Sequence, residues 1–159
     1  MDFFAHGFWS YIFIHKTKKP QYAVFFGLLP DICSWFIYFF YRLFTGQLFQ
    51  QFDLQVIPHW VYVLYNISHS IFVFAVVVWI IYLVWKKIHL FIWAWPLHIL
   101  MDIPTHSRAF LPTPFLWPFS TWQFPGISWA TPWFMVVNYV FIIFGLTFIF
   151  IQKKKQKSL

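Results

Sequence analysis

The chain has 159 residues, 61% of them hydrophobic and 27% aromatic, and only 9% charged. No soluble domain of this length can bury that much apolar surface, so a water-soluble fold is excluded and lipid is the solvent for most of the chain. The net charge of +7 does not point to nucleic acid, because it comes from short lysine clusters beside apolar runs, the pattern that orients a chain in a membrane. The single cysteine, Cys33, excludes an intramolecular disulfide. No basic region precedes the first apolar stretch, so a cleaved signal peptide is not expected. Neither a repeat nor a linker interrupts the chain, and residues 1–159 read as one integral-membrane domain.

Residues 3–15 are apolar but too short to span, and they predict a half-helix that descends to a turn at Lys16–Lys19. Between Lys19 and Arg42 the only charge is Asp31, which predicts a first spanning helix, kinked or interrupted by Pro30. A second run, Trp60 to Trp85, is uncharged and closed by Lys86 and Lys87. A third extends from His89 to about Thr105, and a fourth from Trp133 to Ile151, ended by Lys153, Lys154, Lys155 and Lys157. The expected fold class is therefore all-α, a polytopic bundle of four spanning helices plus the N-terminal half-helix. Residues 104–132 hold six prolines among many aromatics, which predicts a non-helical segment folded back over the bundle as an outer lid or re-entrant loop. With alternating helices the lysine clusters share one side, expected to be cytoplasmic, which places the C-terminus in the cytoplasm and the protein in the cell's inner membrane.

Five ionisable residues sit within or beside these apolar runs: His6, Asp31, His69, His98 and Asp102. At membrane depth each costs several kcal/mol unless it faces a partner or a cavity. Counting about 1.5 Å of helical rise per residue from the lysine clusters puts His6, Asp31 and His98 roughly 15–18 Å up, Asp102 about 22 Å and His69 about 25 Å. Four segments thus deliver imidazoles and carboxylates to one slab, and that donor set suits a divalent metal. His98 and Asp102 are four apart and share a helix face, which His106 extends. Ser68, Ser70 and Asn66 surround His69 and are expected to fix its tautomer. Taken singly, an intramembrane histidine is more often a helix-to-helix hydrogen-bond donor than a ligand, and Asp31 after Pro30 can serve as a helix cap. His15, His59 and His89 fall at interfaces and read as interfacial residues. Arg108, two residues past His106, is either a loop residue or a grip for a phosphate.

The runs His6-Gly7, Leu28-Leu29-Pro30-Asp31, Ser68-His69-Ser70, His98-Ile99-Leu100-Met101-Asp102 and Leu116-Trp117-Pro118, in that order, resemble the membrane-bound metal-dependent hydrolase family of bacteria and archaea, the YdjM-like proteins. The resemblance covers about residues 1–120. Cys33 stands where that family carries a second aspartate, and Leu64 and Tyr65 stand where it carries His and Arg, so fewer ligands are implied here. The order His, Asp, His, H-x-x-x-D is also similar to part of the ligand set of zinc-dependent phospholipases C and single-strand nucleases, although a second H-x-x-x-D is missing and Met1 replaces their N-terminal Trp.

The resemblance implies hydrolysis of a lipid-linked phosphoester through a metal-activated water. A divalent metal, zinc by analogy, is expected on His6, Asp31, His69, His98 and Asp102. Asp31 and Asp102 are the expected catalytic carboxylates, and Arg108 and His106 the expected substrate contacts. The expected partners are membrane lipid and a lipid-like substrate. Two other readings stay open: a non-catalytic membrane protein with a structural His/Asp metal site, and a small cation transporter.

Overall fold

The computed structural model describes residues 1–51 and 53–157, and among these residues it is helical without a strand. A short helix, α1 (Phe3–Ile14), starts at Asp2, whose carboxylate accepts the Ala5 N–H at 3.0 Å. A turn at the first lysine cluster leads into α2 (Pro20–Asp31), which continues through a π-helical turn (Ile32–Phe36) into α3 (Ile37–Phe44). Then come α4 (His59–Ser68), α5 (Ile71–Trp85), α6 (Ala94–Thr105) and the long α7 (Pro132–Lys157). The half-helix at the N-terminus is as expected, and it packs against α2 with Gly7 near Val24 and Leu28.

The expectation of four spanning helices is corrected. Two helices are long and apolar enough to cross a membrane, Pro20–Phe44 and Pro132–Gln156, or three if a broken pair counts as one span. That pair is α4 and α5, bent by 59°. The run before Thr105 is not among the candidate spans either: a 3-10 turn (Leu90–Trp93) leads into α6, which has 12 residues. Composition reports apolar length, and it does not report where the chain changes direction.

The break between α4 and α5 has a local cause. The Ser70 hydroxyl accepts from the Phe72 and Val73 N–H groups at 3.2 Å and so starts a new helix. The backbone groups released by the break find other partners: the Ser68 carbonyl accepts from Trp95 Nε1 at 2.8 Å, and the Ile71 N–H donates to Phe115 O at 3.1 Å. Pro30 does not interrupt its helix. The chain passes through it, the π-helical turn follows at once, and the Ser34 hydroxyl donates to the Pro30 carbonyl at 3.0 Å. Such turns often mark functional stretches of a helix, and this one follows Asp31 directly.

Residues 106–131 form the expected non-helical cover. They are pinned to the broken helix at Ser70, whose hydroxyl donates to Trp117 O at 2.5 Å, and to the end of α6 through Ile127 N to Pro104 O (2.9 Å) and Trp129 N to Thr105 O (2.8 Å). Gly126 is required in this return, because a Cβ there would lie 2.5 Å from the His106 carbonyl oxygen and 2.6 Å from that of Pro104.

Candidate metal centre

Four parts of the chain carry ionisable groups to one point. His6 comes from α1, Asp31 from the end of α2, His69 from the α4–α5 break, and His98 and Asp102 from adjacent turns of α6. His106 follows where α6 gives way to the cover. All six are buried, and His6, His69 and His98 have no exposed surface at all. The five residues expected from the sequence are therefore brought together, with His106 as a sixth member.

Asp102 is the hub. Its Oδ1 lies 2.9 Å from His6 Nε2, 3.4 Å from His106 Nε2 and against the Met1 amino group, while its Oδ2 lies 3.1 Å from His98 Nε2 and 3.6 Å from His69 Nε2. Asp31 Oδ1 approaches His69 Nε2 at 3.6 Å and His98 Nε2 at 4.0 Å. Two triads have ligand atoms mutually within 4.8 Å, His6/Asp31/His98 and His69/His98/Asp102, and they share His98.

The tautomers follow from the outer partners. His98 Nδ1 lies 2.7 Å from the Gly27 carbonyl, and His69 Nδ1 lies 3.1 Å from the Tyr65 carbonyl with Ser68 Oγ at 2.9 Å. A carbonyl only accepts, so Nδ1 carries a proton in each ring, and in the neutral form of the ring Nε2 is left with a lone pair. Those two Nε2 atoms are 3.1 Å apart and face two carboxylates. With both rings neutral these are acceptors facing acceptors, an arrangement that a cation between them would satisfy. His6 adds to the case. Both of its ring nitrogens are buried without a hydrogen bond, even though Nε2 is close to Asp102, because the approach is off the line a hydrogen bond needs. Its ring lies on that of His98 with centroids 3.5 Å apart. The donor set and these orphaned nitrogens fit a metal ion.

The helices meet closely to allow this. A Cβ on Gly27 would fall 2.6 Å from Ser10 Cβ, so α1 and α2 touch here at backbone distance, and the same glycine supplies the carbonyl that orients His98. Ser68 fulfils its expected role beside His69, and Ser70 acts through the backbone break; no hydrogen bond to His69 comes from Asn66.

A cavity of about 380 Å³ opens beside the cluster. Asp31 and His106 reach into it, and Phe3, Trp35, Phe110 and Trp129 make its walls largely apolar. Asp31 keeps 12% of its side chain exposed against 2% for Asp102, so it is the carboxylate that a ligand meets. Arg108 is not brought to the site. It is exposed, donates to Gln123 O at 3.2 Å, and lies outside the cavity wall. Sequence reasoning missed Tyr65, whose ring lies 4.0 Å from that of His69 and whose hydroxyl donates to Leu111 O at 3.1 Å. Its position four residues before His69, on the same helix face, was the available signal. His15 and His89 lie away from the centre, as expected, His15 on the Ile12 carbonyl and His89 stacked on Phe91.

No family model, no curated protein and no solved structure matches the chain.

Proposed function

We propose that the protein is an integral-membrane, metal-dependent hydrolase of a lipid-linked phosphoester. The observation that carries this reading is the pair of histidine Nε2 atoms 3.1 Å apart, facing Asp31 and Asp102 beside a greasy cavity. The resemblance of the sequence motifs to the YdjM-like hydrolases supports it. A divalent ion, zinc by the same analogy, would supply a Lewis acid for the ester and an acidified water for attack. Asp102 and the three buried histidines would hold the ion. Asp31, at the cavity mouth, orients the attacking water and takes its proton. His106, held through Nδ1 by Leu111 O at 2.5 Å, contacts the head group, and the aromatic walls take the proximal part of the apolar chain. The lysine-rich ends face the cytoplasm and the membrane is the inner one.

The test is metal content of the purified protein, together with hydrolysis of phospholipids and isoprenyl phosphates by wild type and His98→Ala. Bound metal and turnover in the wild type, both lost in the variant, support the reading; full activity in the variant rejects the site. A second reading is a metal centre that only ties helices together, and the complete burial of His6, His69 and His98 favours it. Stoichiometric metal with no hydrolysis of any lipid ester tested would select it, and metal flux into liposomes without hydrolysis would select transport.

A further inference from the structure

The molecule has a second polar region, at the opposite end of the helices from the metal centre. The turn between α1 and α2 and the segment after α5 come together around an open cleft of about 700 Å³. Lys16, Lys18, Lys19 and Lys87 line it, and all four are exposed. Lys86 ends α5 in a left-handed conformation (φ 51°) with its ammonium over Tyr82, and the chain then turns so that Lys87 joins the cleft. The four aspartates of the chain are Asp2, Asp31, Asp53 and Asp102, and Glu is absent. Asp31 and Asp102 belong to the centre, Asp2 caps the start of α1, and Asp53 lies in the loop beyond α3, so none can neutralise these lysines.

The floor of the cleft is aromatic. Tyr22 and Phe91 rings are 5.3 Å apart, and His89 stacks on Phe91 at 5.0 Å. Leu90, on the cleft wall, and Trp93, at the other end of the same short turn, are 61% and 48% exposed. Four cations without a carboxylate, above an aromatic shelf and beside exposed apolar side chains, suit an anion whose other half is hydrocarbon. We infer that this cleft is a binding site for the phosphate head group of an anionic phospholipid, separate from the metal centre and independent of any hydrolysis there. The phosphodiester sits among Lys16, Lys18, Lys19 and Lys87, and the acyl chains run down past Leu90. A soluble anion would find the charge but would leave the apolar flank uncovered.

Each lysine near an anionic head group contributes about fivefold in affinity. The test titrates the purified full chain in detergent with palmitoyl-oleoyl phosphatidylglycerol or phosphatidylcholine and reads retained lipid by native mass spectrometry. Lys16→Gln/Lys87→Gln is compared with Lys153→Gln/Lys154→Gln, which removes the same charge from α7 at the same end. Lys16 and Lys87 are exposed, so the fold is kept, and the tryptophan emission of each variant verifies it. The expected result is retention of phosphatidylglycerol over phosphatidylcholine, weakened about 25-fold by the cleft pair and far less by the α7 pair. Millimolar inorganic phosphate leaves the bound lipid in place. Equal retention of the two lipids, equal losses in the two variants, or displacement by inorganic phosphate overturns the proposal.

Discussion

Gly27 offers the sharpest test of how the helices serve the centre. A Cβ at this position would lie 2.6 Å from Ser10 Cβ, against 3.4 Å for ordinary contact. Gly27→Ala must therefore part α1 from α2 by roughly 1 Å, an overpacking that costs about 1–3 kcal/mol. The same shift moves the carbonyl that holds His98 Nδ1 at 2.7 Å, and it moves His6 with α1. Stability and metal retention should fall together. Ser10→Gly removes the obstructing side chain and leaves the His6 carbonyl at 3.4 Å from the new methyl group, a distance that needs no movement. The double variant should recover most of the metal. Its new glycine in α1 costs about 1 kcal/mol in helix propensity, and the alanine gained in α2 partly offsets that. The assay is metal content of the detergent-purified protein with its thermal midpoint followed by tryptophan fluorescence. A Gly27→Ala protein with wild-type midpoint and full metal would refute the reasoning, as would a double variant no better than the single.

Chelation of the wild type should lower its thermal midpoint, while the midpoint of His98→Ala, already without metal, should not respond to chelator. Asp31→Asn should keep bound metal, because Asp102, His69 and His98 remain, and should lose hydrolysis by about a hundredfold or more, read as turnover per bound metal. Tyr65→Phe should cost about 1 kcal/mol through the lost hydrogen bond to Leu111 O, measured as a lower midpoint with metal retained. Gly126→Ala should dislodge the cover from Pro104 and His106 and make residues 107–131 more sensitive to limited proteolysis than in the wild type.

The centre was more legible in the sequence than the path of the chain. Asp31, His98 and Asp102 stood out because an ionisable group in an apolar run is costly, and because a spacing of four puts two side chains on one face. His69 was legible as a polar island, but its neighbours concealed the turn. Ser-His-Ser inside an uncharged run reads as more helix, and only the capping of Phe72 and Val73 by Ser70 shows that a new helix starts there. Pro30 misled in the other direction, since a π-helical turn and the Ser34 hydroxyl absorb the disruption that proline usually brings. Arg108 was placed by its distance from His106 along the chain, and the extended backbone at His106 directs the arginine outward to Gln123. The prolines of residues 104–132 correctly excluded a helix, but nothing in them told that carbonyls of this segment would serve Ser70 and Ile71.

That dependence of the α4–α5 break on the cover imposes an order of events at the ribosome. Ser70 and Ile71 take their partners from Trp117 and Phe115, and His69 meets His98 only when α6 exists. On the proposed reading, His6, Asp31 and His69 are therefore made before His98 and Asp102 exist, and an ion that needs both sets could be captured only after α6 has been translated. Until then the unpaired imidazoles and carboxylates must be sheltered by the insertion machinery or by water drawn in beside them.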